Sequence, residues 1–374
     1  MTKLNKRFVT VSWRSGREPV DDMFWCEAES DGVWTNITSI DRLRSRREVV
    51  ERVTELDQAI IGLDFAFSFP KPFLDFLAAE RIGGNWQVLA KKIRDDLKKN
   101  TDDGVRLWIE LMGKYRESHL EPIEEANNYP RRGTPFNYDG KRSVRRETPA
   151  PYERRSLAER FRRIDMILKR KDPGTLDSVL GIRFNKLTSR YEFTDSESRG
   201  RATLLGVAML EQLIEAKPDI AIWPFMKPAA VTAIEIFPKI FSHLAGSDAE
   251  SLRKFFDIEE DNGLFVSKEV RELVYANPKA HDNVFALLGM IKAERREDKT
   301  LRPLRDYRDY FYDSDEIKAE GWAYGIGFKE PEKKHKQIHF EPHPGTKEEI
   351  KEPNSEIVAE AVVKETPIEE PSPT

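Results

Sequence analysis

The stretch Ala59–Pro70, AIIGLDFAFSFP, constrains this chain more than any other. A near-continuous apolar run such as Ala59–Phe65 is expected of a strand covered on both faces. Strands of that kind occur where helices cover a sheet, so the run predicts an α/β domain. Its single charged residue is Asp64. Ligands gather at strand ends in open α/β sheets, which places Asp64 at the expected functional edge.

The flanking sequence extends this reading. Three β-prone segments, Phe8–Trp13, Met23–Ala28 and Val33–Thr38, are separated by polar turns and predict an antiparallel meander. Between Asp41 and Leu56, apolar residues recur at helical spacing, with Asp41 as the expected N-cap. After Pro70 the pattern is helical to about His119, broken at Gly83–Gly84 and Asp102–Gly104. Glu121–Pro151 reads as an irregular insertion, followed by a short helix over Ser156–Lys171 and a polar loop to Gly200. Alternation then returns: helix Arg201–Lys217, strands Ile220–Phe225 and Val231–Phe237, and helices Lys268–Asn277 and His281–Arg296. Strands first and alternating units later predict one domain over about 1–328, a mixed sheet flanked by helices with an insertion at about 71–200. Trp13, Trp25, Trp34 and Trp223 are expected in its core.

Charge divides the chain unevenly. Lys329–Thr374 holds 7 Lys and 11 Glu, a net −4 that accounts for the whole formal charge of −4. This Pro- and Glu-rich tail is expected to be disordered, because it cannot bury enough apolar surface to offset its ordering entropy. Tyr129–Lys171 holds 14 Arg and Lys against 5 Asp and Glu, an excess of 14 − 5 = +9. The one cysteine, Cys26, excludes an internal disulfide and a cysteine-based zinc site. No apolar run of about 18 residues exists, and the amino terminus lacks signal-peptide features. A cytoplasmic protein without membrane association is the expectation.

Three acidic residues interrupt apolar runs: Asp64, Glu235 in VTAIEIFP and Asp282 in HDNVFALLGM. A buried carboxylate costs several kcal/mol unless paired, hydrogen-bonded or metal-bound. If the three converge, they form an oxygen-rich site for a hard cation, Mg2+ or Mn2+. Each also has a structural reading. Asp64 can accept turn amides, Glu235 can pair with an arginine, and Asp282 can serve as a helix-start residue beside His281. His335, His339 and His343 recur every four residues, but Pro342, Pro344 and Gly345 argue against a helix there.

The order of these motifs resembles domain-of-unknown-function family 429, of the ribonuclease H-like superfamily. The resemblance rests on FVTVSWRSG at 8–16, IGLDFAFSFP at 61–70, Ser198–Arg199–Gly200, IWPF at 222–225, EIFP at 235–238 and HDNVFAL at 281–287. GWAYG at 321–325 adds to it. It implies three antiparallel strands followed by parallel strands interleaved with helices. It also implies acidic catalytic and metal-binding roles for Asp64, Glu235 and Asp282. Two positions depart from the family: its first-strand Asp falls on Ser12, and the second Asp of its last motif on Phe285. Ser12 can offer a metal a neutral hydroxyl but no charge. Asp21, Asp22 and Asp195 are the acids available to substitute.

Lys141 and Arg142, Arg145 and Arg146, and Arg154 and Arg155 occur as pairs among Phe136, Tyr138 and Tyr152, with Arg199 further on. Arginines neutralise phosphates while aromatic rings stack on unpaired bases, so nucleic acid is the expected substrate or partner. The alternative is a solvated basic loop. Two main functions compete: a metal-dependent nuclease, in which metal-bound water attacks phosphorus, and an inactive relative that binds nucleic acid or protein. Phosphoryl transfer to a small molecule is a third.

Overall fold

The computed structural model describes residues 6–13, 20, 23–99, 101–119, 183–185, 190–192, 199–238, 240–241 and 249–328. All of them lie in one compact unit, Met1–Glu330. The basic segment 129–171, its expected helix and the tail fall outside the described residues.

The predicted meander is present as β1 (Lys6–Val11), β2 (Met23–Ser30) and β3 (Thr35–Leu43), each antiparallel to the next. Helix α1 (Arg46–Thr54) leads to the apolar strand β4 (Ala59–Leu63), which pairs parallel with β1. Helices α2 (Lys71–Ala79), α3 (Trp86–Lys99) and α4 (Thr101–His119) follow. A separate two-stranded ribbon joins β5 (Arg183–Asn185) to β6 (Arg190–Glu192). Helix α5 (Arg199–Ala216) precedes β7 (Ala221–Ile222) and β8 (Val231–Glu235). The chain continues through α6 (Ala249–Asp261), β9 (Leu264–Val266), α7 (Lys268–Ala276), α8 (Pro278–Arg295), α9 (Asp309–Tyr312) and α10 (Asp315–Glu320). The main sheet has seven strands in the order β7-β8-β4-β1-β2-β3-β9. β4, β8 and β7 run parallel to β1, and β9 runs parallel to β3.

Period-two alternation sorts the strand side chains between two layers. Val9, Val11, Ile61, Leu63, Val231 and Ala233 join the core under α1 to α5. Phe8, Ile60, Cys26, Ile234 and Ile236 face the other core, built on α8. A β4 buried on both faces reads as a continuous apolar run for this reason. The backbones and side chains meet closely at glycines: a Cβ on Gly62 would lie 2.8 Å from Met290 Sδ, and one on Gly289 would lie 2.1 Å from Phe241 Cδ1.

Several boundaries differ from the sequence reading. Asp41 is not an N-cap; it lies in β3 opposite Trp25 and pairs with Arg52. Ser45 caps α1, its Oγ accepting from the Glu48 N–H at 3.3 Å, while Glu48 accepts from the Arg44 N–H at 3.2 Å. This reciprocal cap starts the helix later than the apolar spacing implies. Gly104 does not break a helix but lies within α4, where its missing Cβ would sit 2.6 Å from Asp96 O. Helix α8 starts at Pro278 with Asn277 as cap, so Asp282 is in its second turn and not at its start. Trp34 is 52% exposed and is not a core residue; it stands in the β2–β3 turn with its ring 5.3 Å from that of Phe265.

Candidate functional site

The register of the parallel strands determines which predicted residues share the sheet's carboxyl edge. Val11 of β1 lies level with Leu63 of β4, and Leu63 with Glu235 of β8. Ser12 and Asp64 are the next residues beyond this line. The Asp64 N–H donates to Val11 O at 3.2 Å, tying the two strand ends together. Asp64 is half-buried.

Glu235 shares its face with Leu63, toward the layer under α1 to α5. It is 1% exposed, and its Oε2 accepts the Phe67 N–H at 2.9 Å. The segment 64–70 is also held from other directions. Trp86 Nε1 donates to Phe67 O at 2.7 Å, Ser68 Oγ to Ala319 O at 2.6 Å, and the Lys71 N–H to Glu320 Oε1 at 2.6 Å. Pro70, the N-cap of α2, has no capping side chain, so Glu320 supplies the carboxylate that the helix start favours. GWAYG belongs to the same support: Ala323 bridges Glu235, and the Tyr324 N–H donates to Glu235 O at 2.8 Å. Glu235 is therefore a strut for the loop that follows Asp64.

Asp282 approaches the strand ends on α8, which packs on the other layer. Its neighbour Asn283, 1% exposed, fixes it there. Asn283 Nδ2 donates to Thr10 O at 3.1 Å and to Phe24 O at 3.0 Å, and Thr10 Oγ1 returns a bond to Asn283 O at 2.9 Å. The sequence reading missed Asn283; the signal was an amide in an otherwise apolar helical run. Asp282 Oδ1 lies 3.5 Å from His281 Nδ1 and remains partly exposed. His281 Nε2 is buried with no hydrogen bond among the described residues.

The two departures both have structural uses. Ser12 is buried, and its Oγ accepts the Phe24 N–H at 2.8 Å, extending the β1–β2 ladder by one rung in which a side chain replaces a carbonyl. Phe285 is 2% exposed and packs against Phe255 and His281, with ring centroids 4.9 and 4.5 Å away.

Strand-end position and α8 thus bring Ser12, Asp64 and Asp282 to one edge of the sheet, while Glu235 points into the opposite layer. Among the described residues, no group of three or more His, Cys, Asp or Glu side chains is arranged to hold a metal ion. A two-ion centre needs carboxylates around ions about 3.5–4 Å apart, more than the described residues bring together here. Arg142, Arg145, Arg146, Arg154 and Arg155 lie outside the described residues, as do Asp21, Asp22 and Asp195. Arg199 opens α5, but its side chain is not among those described. No helix among the described residues is long and apolar enough to cross a membrane.

The geometry defines an α/β protein with a seven-stranded mixed sheet flanked by helices. No protein-family model, curated protein or solved structure matches the chain.

Proposed function

We propose that this chain is a ribonuclease H-like protein that binds single-stranded nucleic acid without cutting it. The fold assignment is supported by the run β3-β2-β1-β4-β8, antiparallel for the first three strands and parallel thereafter, with α1 between β3 and β4 and α2 to α5 between β4 and β8. One observation favours binding over hydrolysis. Ser12, which brings no charge, stands where the family the chain resembles has an acid, and it and Glu235 each accept a backbone amide. Those bonds give both residues a structural role in strand and loop geometry. The partner class comes from the +9 excess in Tyr129–Lys171 and the aromatics interleaved with it.

The test is fluorescence anisotropy of labelled single-stranded RNA and DNA with the full chain. Binding should persist in a chelator, survive Asp64→Asn, weaken steeply with salt, and fall when Arg145 and Arg146 are both changed to Ala. Turnover of any substrate in Mg2+ or Mn2+ that Asp64→Asn abolishes would overturn the proposal.

A nuclease reading keeps one specific support, the Asn283 clamp that brings Asp282 to the strand ends near Asp64. The same chelator and Asp64→Asn arms distinguish the two.

A further inference from the structure

At β9, the last strand of the sheet on the side away from Glu235, large apolar side chains face solvent. Val33 is 54% and Phe265 49% exposed, and Phe265 lies beside the half-exposed ring of Trp34. Edge strands commonly resist association by presenting charged side chains, whereas β9 presents a phenylalanine. The turn that carries Trp34 is held firmly. Asp31 Oδ1 accepts the Val33 and Trp34 N–H groups at 2.8 and 2.7 Å, and Arg295 Nη2 donates to Trp34 O at 2.7 Å. The indole rests on Gly263, where a Cβ would lie 2.7 Å from Trp34 Cε3. An aromatic anchor already held in place loses little entropy when a partner covers it.

Charge selects what can cover this surface. The two segments that build it, Glu27–Thr38 and Asp257–Val266, contain seven Asp and Glu and no Lys or Arg. Three cations reach those acids from other elements. Arg7 lies 3.6 and 3.5 Å from Glu27 and Glu29, Arg271 3.5 and 2.7 Å from Asp257 and Glu260, and Lys292 2.7 Å from Glu259. Arg295, the fourth cation nearby, is drawn under the turn. Acids therefore outnumber cations around the two rings. Nucleic acid would set phosphates against these carboxylates, and a second copy docked by the same face would set carboxylate against carboxylate.

We infer that this surface docks a basic segment of a partner protein, whose apolar side chain covers Trp34 and Phe265 while its lysines or arginines meet the surrounding carboxylates. Side chains make the contact. β9 offers a backbone edge of three residues, and its Val266 O already accepts from Arg271 Nε at 3.3 Å. The inference does not rest on nucleic-acid binding, which involves other residues.

Trp34 reports on its own covering, because the other six of the chain's seven tryptophans are buried. The experiment is acrylamide quenching of tryptophan fluorescence in the full chain, with a short peptide that alternates lysine and leucine as the probe. The free chain should show one accessible tryptophan. The peptide should shield it saturably, and salt should weaken that effect. The same peptide with glutamate for lysine, or with serine for leucine, should not shield it, nor should single-stranded DNA. Phe265→Ser keeps Trp34 as reporter and should weaken the peptide roughly tenfold or more. Asp261→Lys should weaken it roughly two- to fivefold. Thermal unfolding checks that both variants fold. Four results would each overturn the inference. The first is a Trp34 already shielded in the free chain, as covering by the chain's own basic segment would produce. The second is peptide binding that leaves Trp34 accessible, as capture by the acidic tail would produce. The others are equal shielding by the glutamate peptide, the serine peptide or DNA, and an unchanged affinity in either folded variant.

Discussion

Replacing Asn283 with Ala should loosen the candidate site and destabilise the whole domain, because this amide fastens α8 to the meander. Its Nδ2 makes two bonds, to Thr10 O and Phe24 O, and each contributes about 0.5–1.5 kcal/mol net. The void left by the amide in a fully buried position adds about 1 kcal/mol. Asn283 Oδ1 has no partner among the described residues, so losing it offsets part of that cost. The sum is about 2–3 kcal/mol, which lowers the melting temperature by roughly 4–10 °C. Asn283→Asp is the sharper variant. It has the same shape, but it turns oxygens toward two carbonyl oxygens, and should be less stable than Asn283→Ala. Urea unfolding followed by far-ultraviolet circular dichroism measures both. An unfolding free energy for Asn283→Ala within about 0.5 kcal/mol of the parent, or an Asp variant as stable as the parent, would refute the clamp.

Gly289→Ala drives a Cβ to 2.1 Å from Phe241, so overpacking should cost about 1–3 kcal/mol or more in the same unfolding assay. Glu235→Ala should destabilise by about 1–3 kcal/mol by leaving the buried Phe67 N–H unmet, whereas Glu235→Gln, which retains an acceptor, should recover most of that stability. Burial, reinforced by Glu27 and Asp41, pushes the Cys26 thiol far up. A soluble thiol reagent should therefore not label the native chain and should label it once after unfolding; rapid labelling of the native form would contradict the buried position. Burial also raises the phenols of Tyr307 and Tyr324. Below about pH 10 both remain neutral in either state, while above it the unfolded chain ionises first. Stability should therefore fall as pH rises past about 10, and an absorbance titration should show these two phenols ionising only with unfolding.

Legibility in the sequence followed the range of the forces involved. β4 was readable because burial on both faces leaves no polar position in Ala59–Leu63. The three meander strands and α5, α7 and α8 were readable from period and turn residues, with ends displaced by a few residues. Asp41 misled because an N-cap and a strand residue look alike until β2 is known to pair beyond it. Trp34 misled because composition favours a buried tryptophan, whereas the turn it occupies points outward. β9 was not foreseen, since three residues carry no period and gain their partner only from β3.

The same division applies to the candidate site. The sequence by itself determined that Asp64 follows a buried apolar run and that the charge excess lies in Tyr129–Lys171. Those are local facts, fixed by residue type and spacing. Only the tertiary structure decided that Glu235 faces the layer away from α8 and supports the loop after Asp64, and that Asn283 holds Asp282 at the strand ends. Strand register sets the face of every second side chain, and register is fixed by pairing between segments well over a hundred residues apart, as when Leu63 meets Glu235.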